Sequence, residues 1–160
     1  MDKDSDDYKA ILKVADDVID MYLNVRPELA SDLYTTDDQA PPIVFDVGNS
    51  LVTGEPWTKG HGKWMQAMDH YFNVIGREVN GPEVTHMEYI DPEIVIDNNL
   101  ACFVALLPIG MRKADGEEMT LMTRYTIVLR KFATKWKIWN EHFSASMNPE
   151  VVLGPQPVVN

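Results

Sequence analysis

Cysteine occurs once in the chain, at Cys102, so no disulfide within the chain can staple the fold. That cysteine sits in the apolar run from Leu100 to Leu107 and reads as a small buried hydrophobe, in keeping with a reducing cytoplasm. Basic residues are also scarce, 14 against 25 acidic, for a net charge of −11 and a pI near 4.6. A surface this acidic repels phosphate backbones, which argues against a nucleic-acid partner. No apolar run approaches the roughly 20 residues that cross a bilayer, and no basic segment leads into an apolar one at the start, so a soluble, cytoplasmic protein without membrane contact is expected. The sequence lacks Gly-x-x-x-x-Gly-Lys-Ser/Thr in its glycine-containing stretch Gly54 to Trp64, and His61, His70 and His86 lack His-Glu-x-x-His spacing. Neither a phosphate loop nor a metal site is expected, and no cofactor is implied. Internal repeats and Asn-x-Ser/Thr acceptors are missing as well.

What the sequence does contain is enough for one domain. At 160 residues and 18.2 kDa it can bury a core without staples, and we assign residues 1–147 to that domain and 148–160 to an extended C-terminal tail. Tyr8, Ile11, Leu12, Ala15, Val18, Ile19, Tyr22 and Leu23 form a helical stripe that starts at a cap near Ser5 or Asp6 and ends before Arg26-Pro27. Pro27 opens a short second helix through Leu33. The β-branched run Ile43 to Val47, a turn at Gly48-Asn49-Ser50 and Leu51 to Thr53 make a short strand pair. Trp64, Met65, Met68, Tyr71, Phe72 and Ile75 mark a third helix over 59–75. Strands follow over 83–96, interrupted by Pro92, then over 100–111, 117–131 and 135–146, with turns at Asn98-Asn99 and Ala114-Asp115-Gly116. Helices first and a long antiparallel meander last predict an α+β domain with helices packed on one face of a curved sheet.

The final hairpin carries the candidate chemistry. Strict alternation puts Arg124, Thr126, Val128 and Arg130 on one face of its first strand and Tyr125, Ile127 and Leu129 on the other. The same rule groups Trp136, Ile138, Asn140, His142 and Ser144 in the second strand. A face that is apolar at one end and polar at the other suits a half-closed pocket.

This element order, ending in R-x-T-x-V…W-x-I-x-x-x-H-x-S, resembles the SnoaL-like and ketosteroid isomerase-like proteins of the nuclear transport factor 2 superfamily over roughly Tyr8 to Ser146. Arg124, Thr126, Val128, Trp136, Ile138, His142 and Ser144 carry the resemblance, with Gly54 and the helix after it in support. The family implies a cone: a curved antiparallel sheet wrapped around an N-terminal helix pair and a third helix, enclosing an internal pocket. By the same resemblance, Tyr22 matches the tyrosine that polarises a substrate carbonyl and Asp46 the acid that moves the proton beside it. The family's second oxyanion donor, an Asp on a late strand, has no counterpart in Arg124 to Lys131.

Two functions follow from these residues. One is a cofactor-independent isomerase, cyclase or dehydratase acting on a small anionic or carbonyl-bearing molecule, with Tyr22, Asp46 and His142 catalytic, Arg124 and Asn140 binding the ligand, and Trp57 and Trp64 near the pocket mouth. The other is a non-catalytic ligand-binding or oligomerisation module, like the association domain of calcium/calmodulin-dependent kinase. Either fits a homodimer through an outer sheet face bearing Tyr125, Ile127, Leu129, Trp139 and Phe143. The same residues also admit structural roles: Tyr22 as core, Asp46 as a turn cap beside Gly48, Arg124 in an ion pair and His142 and Asn140 bonded to backbone.

Overall fold

A computed structural model describes residues 3–45, 55–75, 83–113 and 115–145. Helix α1 spans Asp6–Leu23, and Ser5 caps it by accepting from the Tyr8 amide at 3.3 Å. Its stripe of Ile11, Ala15, Val18, Met21 and Tyr22 is buried, while Lys13 pairs with Asp17 on the wet side. A 3-10 turn at Pro27–Leu29 leads into the single-turn α2, Ala30–Leu33. Strands β1 (Ile43–Phe45) and β2 (Thr58–Lys59) pair antiparallel. Helix α3 (His61–Asp69) then changes into a π-helical segment, His70–Ile75, where the sequence pattern predicts one uninterrupted helix. No described helix is long and apolar enough to cross a membrane.

The rest is sheet: β3 (Glu83–Met87), β4 (Ile90–Asp97), β5 (Leu100–Arg112), β6 (Glu118–Phe132) and β7 (Lys135–Ala145). The described sheet has seven strands in the order β2-β1-β7-β6-β5-β3, with β4 also on β5. Long β5 is flanked by β6 on one side and by β4 and β3 in succession on the other. Pro92 sits in a register shift between Ile90 and Glu93, where a residue without an N–H does least harm to the ladder. One expectation needs qualifying: the sheet is mixed, because β1 joins β7 in parallel.

Helices cover the concave face, as the α+β pattern predicts. Phe103, Leu107, Tyr125, Ile127, Leu129, Trp136, Ile138 and Phe143 meet Ile11, Ala15, Val18, Met21, Tyr22 and Trp64 in one core. The end of α1 is pinned to the β6–β7 hairpin, since Asp7 accepts from Lys131 Nζ at 2.6 Å and from the Trp136 indole at 2.9 Å. The tail 148–160 and the strand segment 51–53 lie outside the described residues.

Candidate functional site

The facing of the last hairpin differs from strict alternation, and the cause is one inserted residue. Val128 pairs with Asn140 but Leu129 pairs with Ile138, which leaves Trp139 without a partner in β6 and forms a β-bulge. Trp136 and Ile138 therefore point inward, as predicted, and beyond the bulge the inward set becomes Glu141 and Phe143. Asn140 and His142 move to the convex face, and His142 is exposed. In β6 the buried residues are Thr123, Tyr125, Ile127 and Leu129, while Arg124 is exposed on the convex side. Burying the uncharged row leaves the guanidinium groups of Arg124 and Arg130 at the surface, avoiding a large desolvation cost.

The shared hollow expected for Tyr22, Asp46, Arg124 and His142 is thus not assembled from the described residues. Tyr22 lies inside, with ring centroids 5.6 Å from Phe72 and 6.3 Å from Phe143. His142, next to Phe143 but on the opposite face, meets the Phe45 ring edge-on at 5.9 Å. Asn140 donates to the Ile43 carbonyl at 3.1 Å, tying β7 to β1. Asp46 lies outside the described residues. Trp64 is fully buried against Tyr34, with centroids 5.3 Å apart, whereas Trp57 is on the surface and stacks on Phe45 at 5.6 Å. The expected dimer patch is corrected as well: Tyr125, Ile127, Leu129 and Phe143 are core, and of its five residues Trp139 alone is not buried.

What the concave face gathers is a different polar group. Glu141 is wholly buried and accepts hydrogen bonds from the phenols of Tyr34 and, at 2.7 Å, Tyr125. Tyr34 is brought there by its own backbone, which forms a parallel bridge to Ile138 just before Thr35 donates to the Ile138 carbonyl at 2.9 Å. Tyr89 stacks on Tyr125 at 5.5 Å and donates to the Ala15 carbonyl at 2.9 Å, joining the group to α1. Burial first, and the Glu141 charge second, push the Tyr125 and Tyr89 phenols well above their ordinary range, so both remain proton donors. The Trp64 indole N–H, packed beside Tyr34, is buried and makes no hydrogen bond.

Carboxyl, phenols and indole together form a set of proton donors and acceptors in a low-dielectric interior. Glu141 escaped the sequence reading because strict alternation sends it outward. The signal that could have found it is the wholly uncharged row Tyr125, Ile127, Leu129, the better core face of the two.

Residues 51–148 match the family model of the SnoaL-like domain. No curated protein matches the sequence. Among solved structures, an NTF2-like protein of unknown function from Pseudomonas putida KT2440 is 17% identical, with 88% of this chain and 87% of that chain covered and a TM-score of 0.67. A provisionally assigned dehydratase of the NTF2-like family from Streptomyces avermitilis is 14% identical over 88% of this chain and 97% of that one, with a TM-score of 0.67. The CaMKII hub from S. rosetta is 19% identical over 86% and 95%, with a TM-score of 0.65. At these identities the likeness establishes the fold.

Proposed function

Because the chain belongs to the SnoaL-like family of the NTF2 superfamily, we propose that it binds a small carbonyl-bearing molecule on the concave side of the sheet and moves a proton on it without a cofactor. The observation that carries this reading is Glu141, a fully buried carboxyl held by the phenols of Tyr34 and Tyr125. A site that only needed filling would be packed at lower desolvation cost by Leu or Met. The buried, unbonded Trp64 indole supports the same reading, since a carbonyl oxygen is the acceptor that such a donor lacks. Tyr22 borders the group through Phe143, which itself packs on Tyr125 at 4.5 Å. By resemblance to the isomerases, Tyr22 polarises the carbonyl and Asp46 serves as a second acid–base group. The neighbour from Streptomyces avermitilis makes dehydration one of the reactions this chemistry could serve.

Isomerisation, cyclisation and dehydration beside a carbonyl share one step, removal of an α-proton. Exchange of α-protons for deuterium in cyclic ketones, followed by proton NMR in D2O, tests that step without knowledge of the natural substrate. Catalysed exchange is expected, with Glu141→Gln slowing it by roughly 100-fold or more. Exchange as fast in Glu141→Gln as in the unaltered protein would remove Glu141 from the mechanism.

A second reading, assembly, has its own support. Val104 and Leu106 on β5 and Met122 on β6 are large, exposed apolar residues on the convex face. We propose that two copies pair through this face, an arrangement compatible with a catalytic or a hub-like role.

A further inference from the structure

A cleft of about 570 Å³ opens between β2 and α3, and neither Glu141 nor its tyrosine partners line it. Its size is that of a small-molecule site. Trp57, Thr58, Lys59, Lys63, Gln66, Ala67 and His70 line it, with one acid, Glu55, among its walls. We propose that this cleft binds an aromatic carboxylate.

The chain carries 25 acidic residues against 14 basic ones, so a surface lysine has many possible partners. Lys59 and Lys63 make no ion pair or side-chain hydrogen bond among the described residues, as Lys9 and Lys135 also do not, while Lys13, Lys113 and Lys131 each hold an acid; what sets Lys59 and Lys63 apart is that they line one cleft. Two lysines against the single acid Glu55 at the wall of one hollow leave a local positive balance in an otherwise negative field. An anion is drawn to such a place.

Trp57 is 43% exposed, and its indole is braced by Phe45 at an interplanar angle of 28°. A braced, exposed indole at the wall of a cleft is a ready stacking surface for a planar ring. The backbone around it is held firmly: Gly60 takes φ +102°, donates to the Pro42 carbonyl at 2.9 Å, and lets Asp37 accept from the His61 amide at 2.7 Å. His70 stands where α3 becomes π-helical, and such π segments occur often at functional sites. Gln66 and His70 supply further polar groups for carboxylate oxygens.

Titration of nitrogen-15-labelled protein with sodium benzoate, benzamide and acetate tests the proposal, with the Trp57 indole resonance assigned through Trp57→Phe. Benzoate is expected to shift that resonance saturably, and benzamide and acetate to bind at least 10-fold more weakly. Lys59→Gln/Lys63→Gln should weaken benzoate about 10-fold, and so should raised salt. Both lysines are exposed, so the double variant is expected to retain its fold, which an unchanged melting temperature checks. Equal binding of benzoate and benzamide, or a shift of the Trp64 indole with Trp57 unmoved, would overturn the assignment. Glu141→Gln should leave benzoate binding unchanged, which separates this cleft from the interior site.

Discussion

Tyr125 on β6 donates its phenol to Glu141 on β7 at 2.7 Å, so one hairpin supplies both donor and acceptor to the concave face. Tyr34 reaches the same carboxyl from the segment after α2. The carboxyl is therefore held from two directions, by a strand neighbour and by a residue more than a hundred positions away.

Removing either phenol leaves a buried carboxyl with one donor fewer. Tyr34→Phe and Tyr125→Phe are each expected to cost about 1–3 kcal/mol in urea unfolding. Glu141→Leu should cost less than Glu141→Ala, because it fills the space while removing the charge. The effect of the double tyrosine variant should differ from the sum of the two single ones, since both act on one carboxyl.

Hydrogen bonds from Lys131 first and Trp136 second hold the Asp7 carboxyl below its ordinary range. A folded pKa below the unfolded one gives stabilisation that is present above the unfolded value, about 3.9, and lost as pH falls through the folded value. The stability gap between the unaltered protein and Asp7→Asn should thus be steady near neutrality and shrink in acid. Thermal unfolding as a function of pH measures it, and a gap that stays constant into strong acid would show another source.

Ala133, in the tight turn between β6 and β7, has φ +54°, a conformation that disfavours a Cβ. Ala133→Gly is expected to stabilise the protein by up to about 1 kcal/mol, less the entropy glycine adds to the unfolded chain. Chemical denaturation gives the sign directly.

Pairing through the convex face places Leu106 and Met122 at the contact, where they are 44% exposed in one copy. Light scattering should return a dimer mass for the unaltered protein and a monomer mass for Leu106→Asp. A monomer at high concentration without any substitution would refute this pairing.

The helical stripe of α1, the Ser5 cap, the third helix and the long strands were legible because each rests on local periodicity and turn chemistry. The exchange of faces in the last hairpin was not. Periodicity assumes an unbroken ladder, whereas the bulge at Trp139 is a property of how β7 sits on β6. One extra residue sent His142 and Asn140 outward and drew Glu141 in. Trp64 was legible as a helix residue, but the sequence placed it near the pocket mouth and not in the core on Tyr34, because Tyr34 follows α2 without a periodic signal of its own. The rings around Tyr22 and the cleft beside Trp57 depend on tertiary placement in the same way.

The most direct measurement is a crystal structure of the protein soaked with a cyclic ketone that it exchanges. The ketone oxygen is expected on the concave side, within hydrogen-bond reach of the Trp64 indole or the phenols around Glu141. A ketone bound instead on the convex face, against Arg124 and His142, with the Glu141 group untouched, would contradict the account.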